Sequence, residues 1–177
     1  MTNPSHISKV TDFYEKYDEE TRLELDRARK VEFIVTTNML NQYIKAHHKI
    51  LELGAGTGAY SMYYAEKGNE VIATDLVPKH VDTIRQKLEK KVNTLKLATA
   101  VVNATDLSQF KTESFDIITC LGPIYHLTNE KDRSKCIQEA LRVLKPSGIL
   151  AIAYINKHNI IHAVMVNMKE YFTNDFI

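Results

Sequence analysis

The sequence has no tryptophan, only 2 cysteines, 4 prolines and 6 glycines, and almost no excess of either charge. Cys120 and Cys136 form no C-x-x-C pair, which argues against a zinc ribbon or dithiol exchange and leaves two reduced, buried thiols as the expectation. With Lys+Arg 23 against Asp+Glu 22, the net charge of +1 gives no global pull toward nucleic acid or an anionic membrane, so neither is an expected partner. The longest apolar runs, such as Ile149 to Ile155, fall far short of the ~20 residues that a membrane span requires. The first six residues, Met1 to His6, show neither the basic nor the apolar region of a secretory signal, and the expected location is cytoplasmic. His158 and His162 could share one helix face, but the acid of H-E-x-x-H is missing and no third ligand is evident, so no metal is expected.

What is present reads as one domain, since 177 residues suffice for one core and not comfortably for two. From Ser5 to Leu53 there is no proline or glycine, and the stretch is rich in Glu, Lys, Arg and Leu. That predicts two helices, about Ile7 to Tyr17 and about Thr21 to Lys45, making residues 1–45 a helical cap ahead of a core at 46–177. Phe13, Tyr14 and Tyr17 fall on one side of the first, either as packing or as a lid over a cleft, which makes Tyr14 and Tyr17 candidate substrate contacts. After residue 45 the pattern changes. Short β-rich runs at Lys49–Leu53, Glu70–Thr74, Leu97–Val102, Phe115–Leu121 and Ile149–Ile155 alternate with helical segments at about Gly58–Lys67, Lys79–Lys90 and Glu130–Leu144. Such alternation predicts an α/β fold in which helices cover a mainly parallel sheet. Lys145-Pro146-Ser147-Gly148 is expected to stop the last helix and turn the chain.

The first strand runs directly into Gly54-Ala55-Gly56-Thr57-Gly58 and then into a helix. At a strand-to-helix turn glycines permit positive φ and a closer ligand approach than any Cβ allows, and open α/β sheets bind ligands beyond the carboxyl ends of their strands. The second strand ends at Asp75, a carboxylate able to accept hydrogen bonds from both hydroxyls of a ribose. Asp75 could instead cap the next helix, but Pro78 suits that helix's first position and should leave Asp75 free for a ligand.

These features alone would serve a nicotinamide dinucleotide as well, because Gly54, Gly56 and Ala59 satisfy G-x-G-x-x-G/A. Further motifs follow in order. They are Asn103-Ala104-Thr105-Asp106-Leu107, Phe115-Asp116-Ile117-Ile118 leading to Leu121-Gly122-Pro123-Ile124-Tyr125-His126, and Glu139 to Gly148. Together with Glu52 to Gly58 and Asp75 they make residues 30–155 resemble the class I S-adenosylmethionine-dependent methyltransferases, in particular the small bacterial type of ubiquinone and menaquinone biosynthesis. The resemblance implies a Rossmann-like, doubly wound sheet in the order 3-2-1-4-5 and S-adenosyl-L-methionine as cofactor. It also implies that Gly54, Ala55 and Gly56 line the methionine part and Glu52 meets the ammonium. Asp75 would hold the ribose, Leu76 would pack on adenine, Asn103 and Ala104 would mark its edge, and Leu121 and Gly122 would lie beside the methionine. At the Asn103 position many relatives carry an aspartate.

Methyl transfer from a sulfonium needs alignment and exclusion of water more than covalent help. His126 is the candidate base, being placed after strand four in the substrate's path, and a structural hydrogen bond is its alternative role; Tyr125 is a candidate substrate contact. The expected acceptor is a small molecule, since there is neither a Pro-Pro-aromatic loop nor a Pro-Cys nucleophile. A regulatory, non-catalytic cofactor-binding module is the alternative reading, and an NAD-dependent oxidoreductase using a Tyr-x-x-x-Lys pair a weaker one. Beyond strand five a helix is expected from about Asn156 to Tyr171, leaving no room for two further strands and suggesting a shortened domain. The exposed strand-five edge would then be covered by this helix or by a second copy of the chain.

Overall fold

The computed structural model describes residues 11–14, 19–20, 27–92, 94–156 and 158. Tyr17, most of the first expected helix, His162 and nearly all of the helix expected after strand five lie outside the described residues. Residues 11–14 are helical, and the second expected helix is seen as α1 (Arg27–Leu40). It ends before Lys45 because hydrogen bonding tightens at its end: the amides of Gln42 and Tyr43 reach back three residues, to the carbonyls of Met39 and Leu40 at 3.2 and 2.9 Å.

The core alternates strand and helix as expected: β1 (Lys49–Leu53), α2 (Ala59–Glu66), β2 (Glu70–Asp75), α3 (Pro78–Glu89), β3 (Leu97–Val101), β4 (Phe115–Cys120), α4 (Pro123–His126), α5 (Glu130–Val143) and β5 (Leu144–Ile152). The five strands form one sheet, parallel at every pairing, in the order β3-β2-β1-β4-β5. Successive β1 side chains serve opposite faces, as a period of two requires. Ile50 packs with Val71, Ile117, Tyr60, Tyr64 and Leu40 on the side of α1 and α2. Leu51 and Leu53 pack with Ile118, Cys136, Ala140 and Val143 on the side of α5. With both faces covered, the central strands can be almost wholly apolar. Cys120 and Cys136 are buried and unbridged in the second cluster, where the hydrogen bond between them and then burial push the Cys120 thiol upward. Among the described residues no helix is long and apolar enough to cross a membrane.

Two expectations need correction. The segment after β4, where no helix was among those expected, contains the single helical turn α4, begun by Pro123. The last strand begins earlier and ends sooner than Ile149–Ile155. Pairing starts at Leu144 opposite Phe115 and resumes at Ile149 opposite Ile117, so Lys145–Gly148 bulge from the ladder, with Ser147 at φ 64. Asp116 secures the bulge: its oxygens accept from Lys145 Nζ and from the Lys49 amide, each at 2.8 Å. Burial alone would raise that carboxyl, but these partners hold it below its ordinary range. At the far end β4 runs out at Cys120, opposite Ile152, and beyond that point Tyr154 and Ile155 are exposed.

The Glu139–Arg142 pair is a clamp between layers. Arg142 donates to the carbonyls of Phe110 and Leu107 at 3.0 and 2.9 Å, and Glu139 accepts from the Leu107 amide at 2.9 Å. This fixes the β3-to-β4 connection against α5, holding up the wall in which Asn103 sits.

Candidate functional site

At the end of β1 the chain turns through three glycines at positive φ, Gly54 at 70°, Gly56 at 55° and Gly58 at 84°. Only Gly adopts such angles without steric cost. At Gly54 space is equally decisive, since an added Cβ would lie 2.8 Å from the ring carbons of Pro123. The loop is held by the Ala55 amide donating to the Thr74 carbonyl and the Gly58 amide to the Ala55 carbonyl, both at 2.9 Å, while Thr74 Oγ1 donates to the Glu52 carbonyl at 2.7 Å. Backbone is thereby presented to a cavity of about 500 Å³ beyond the carboxyl ends of the strands, within the ~300–1,000 Å³ typical of small-molecule sites.

The cavity brings together residues far apart in sequence. Glu52, Gly54, Ala55, Gly56, Asp75, Leu76, Asn103, Ala104, Leu121 and Gly122 all line it, and so do Tyr14, Tyr125 and His126. The aromatic stripe of the N-terminal helix divides: Tyr14 enters the cavity wall while Phe13 is 58% exposed. The Tyr14 hydroxyl lies 2.9 Å from His126 Nε2.

Asp75 is not free, contrary to the sequence expectation. Pro78 does occupy the first turn of α3, yet the Asp75 carboxylate accepts from the Val77 amide at Oδ1 and from the Gly56 amide at Oδ2, each at 2.8 Å. The short β2-to-α3 turn brings the Val77 amide onto the strand tip, and the glycine turn after β1 brings that of Gly56. Asn103 is also engaged: its Oδ1 takes the Thr105 amide at 3.0 Å and the Thr105 hydroxyl at 2.9 Å. A bond from that oxygen to an exocyclic amine would compete with this local turn.

Charge distinguishes the cavity most clearly. Among the described residues seven carboxylates line it against two lysines, and both lysines are committed, Lys87 to Glu20 at 2.6 Å and Lys91 to Glu66 at 2.5 Å. Glu52, 3% exposed, is pushed up to about 7, chiefly by burial and further by the charge of Asp75, against the hydrogen bond donated by Ser61. A carboxylate held so far above its ordinary range would be recharged by a bound cation.

Sequence reasoning missed His80, buried in the cavity wall with Nδ1 3.2 Å from Asp75 Oδ1. Its place in the first turns of α3, five residues beyond Asp75, was the available signal. Glu19 and Glu20 were also missed; they line the cavity from the N-terminal segment, and Glu19 packs over Gly56. A Tyr-x-x-x-Lys spacing does occur, at Tyr63 and Lys67, but neither lines the cavity. Asn41 donates to the Tyr63 hydroxyl at 2.8 Å, and the Lys67 ammonium sits 5.0 Å over the Tyr63 ring, so the pair cannot serve as a dehydrogenase couple in this cleft.

A methyltransferase domain model matches residues 51–152, more than half of the chain. The chain belongs to the methyltransferase domain family. Among members of curated function, the ubiquinone biosynthesis O-methyltransferase of Xanthomonas oryzae pv. oryzae is 31% identical over 123 residues, 70% of this chain and 49% of that protein. The erythromycin 3''-O-methyltransferase of Saccharopolyspora erythraea is 33% identical over 109 residues, 60% of this chain and 34% of that protein. This chain thus spans half or less of the length of either relative. A crystal structure of a SAM-dependent methyltransferase from Methanosarcina mazei superposes with a TM-score of 0.60 at 28% identity, covering 64% of this chain and 55% of that one. In this family member the matched segment runs from β1 through β5 and so contains the glycine turn and Asp75.

Proposed function

We propose that the chain binds S-adenosyl-L-methionine and takes part in transferring its methyl group to a small-molecule acceptor. One observation carries the reading: among the described residues, a cavity walled by backbone at the glycine turn has an excess of carboxylates and no uncommitted lysine. Such a wall favours a ligand bearing a sulfonium and an ammonium and disfavours the diphosphate of a dinucleotide. The family and the names of its curated members, O-methyltransferases of ubiquinone biosynthesis and of erythromycin, support the same direction.

In this reading Gly54, Ala55 and Gly56 bring backbone against the methionine portion, with Leu121 and Gly122 beside them and Glu52 paired to the ammonium. Asp75 takes a ribose hydroxyl, Leu76 packs on the adenine face, and Asn103 with Ala104 borders its edge. When bound, the cofactor supplies a methyl group already activated by positive sulfur. The residues of the chain have to align the acceptor and keep water out. His126 receives the proton of an acceptor hydroxyl, and Tyr14, 2.9 Å from its Nε2, orients the ring. Tyr125, 41% exposed beside it, contacts the acceptor at the mouth.

Calorimetry with S-adenosylhomocysteine and with NAD tests the cofactor. Binding of the first and not the second is expected; the opposite result rejects the reading. Transfer of labelled methyl groups into metabolite extracts tests the activity, and binding without any transfer would favour a non-catalytic module. Asp75→Ala should weaken S-adenosylhomocysteine binding by roughly 1–3 kcal/mol, the scale of a buried hydrogen-bonding group. Unchanged affinity in a folded variant would take Asp75 out of the site. Once an acceptor is known, His126→Ala should cut turnover at least about tenfold with little change in cofactor affinity. Loss of structure by circular dichroism would instead assign the imidazole to the fold.

A further inference from the structure

The Asp75 carboxylate is too heavily engaged to hold a ribose diol alone. A carboxylate offers about four acceptor positions. Three are occupied: Oδ1 takes the Val77 amide at 2.8 Å and faces His80 Nδ1 at 3.2 Å, and Oδ2 takes the Gly56 amide at 2.8 Å. A diol brings two donors to the one position that remains.

His80 has the complementary vacancy. An ionised carboxylate can only accept, so Nδ1 must carry the hydrogen of the Asp75 contact, and in the neutral ring Nε2 is then a bare acceptor. That nitrogen is buried and has no hydrogen-bond partner among the described residues, on a side chain 4% exposed that lines the cavity. A buried acceptor left without a donor destabilises the protein, and an apolar side chain at this position would avoid that cost. The Tyr14 ring stands edge-on to the imidazole with centroids 5.3 Å apart.

We propose that His80 is a ribose-binding residue, its Nε2 accepting a hydrogen bond from the hydroxyl for which Asp75 has no position left. It rests on the adenosyl ligand proposed above and assigns the two hydroxyls of that ligand to two different side chains.

A chemical double-mutant cycle tests it. Calorimetry at pH 8 compares S-adenosylhomocysteine with its 2'-deoxy and 3'-deoxy forms, on the full chain and on its His80→Met and His80→Gln variants. For the unmodified chain, removing the hydroxyl held by His80 should cost about tenfold in affinity. In His80→Met that same removal should cost almost nothing, while removal of the Asp75-bound hydroxyl costs the same as before; such coupling is expected only between groups in contact. His80→Gln keeps an acceptor and should keep part of the discrimination. If both deoxy penalties are unchanged in His80→Met, the proposal is overturned. Should the methionine variant fail to fold, the ¹⁵N shift of Nε2 in the unmodified chain decides: it should move with the intact ligand and not with one deoxy form, and an equal shift with all three overturns the assignment. If S-adenosylhomocysteine does not bind at all, the cofactor reading fails together with this one, whereas binding with unaltered penalties removes His80 alone.

Discussion

Glu52→Gln should weaken S-adenosylhomocysteine binding at pH 8 by about 100-fold, about 3 kcal/mol, the scale for removing one partner of a buried charge pair. The same substitution should make the ligand-free protein more stable. Both effects follow from the position of Glu52 in a buried strand, where burial raises its carboxyl from an ordinary 4.5 to about 7. The folded chain therefore holds this proton more tightly than the unfolded chain does. Stability from that source is complete below pH 4.5 and is lost as pH rises through about 7. Its full size is on the order of 3 kcal/mol. Glutamine keeps an acceptor for Ser61 without the charge, so the variant should gain most at pH 8 and nothing at pH 4. Ligand affinity should run the other way. A cation is best met by ionised Glu52, so affinity of the unmodified chain should decline as pH falls below about 7. Urea denaturation across pH, with and without S-adenosylhomocysteine, measures both. A variant that binds as tightly as its parent would exclude Glu52 from the site, and a stability difference independent of pH would mean that burial of the charge is not its source.

Gly54→Ala should cost about 3 kcal/mol in stability, from left-handed backbone strain and overpacking combined. Gly54 stands at φ 70, and its added Cβ would meet Pro123 ring carbons at 2.8 Å. Pro123 cannot yield as a flexible side-chain tip would, because it begins α4 and its ring is fixed to the backbone. Relief must come from displacing α4, which carries Tyr125 and His126, so the substitution should disturb the acceptor side of the cavity as well as the cofactor side. Denaturant unfolding reads the first effect and methyl transfer the second. A variant within about 0.5 kcal/mol of its parent, the range of an ordinary surface substitution, would show that the turn tolerates a side chain.

Much of the architecture was legible because parallel strands buried on both faces need short β-rich, largely apolar runs, and Lys49–Leu53 and Glu70–Thr74 centre on such runs between clear stops. The ends of β5 were less legible. Pro146 and Gly148 signal a turn, but whether the chain turns away or bulges within a ladder depends on Asp116, which binds Lys145 from another strand. The length of the strand was likewise decided by its neighbour, which ends at Cys120.

The cavity divides in the same way. Glycines at 54, 56 and 58, the acid at the tip of the second strand and the ordered motifs after strands three and four are local signals. Each reports a backbone need or a residue type at a strand end, so the sequence alone determined the fold, the family and most of the cavity wall. What it could not determine is which groups spend one another's capacity. The engagement of Asp75 by Gly56, Val77 and His80, the pairing of Lys87 and Lys91 with Glu20 and Glu66, and the meeting of Tyr14 with His126 join residues up to 112 positions apart. Burial and hydrogen bonding depend on distances in space, and only the packed chain sets those distances. For that reason the charge of Glu52, the vacancy at His80 and the remaining capacity of Asp75 were decided by the tertiary structure.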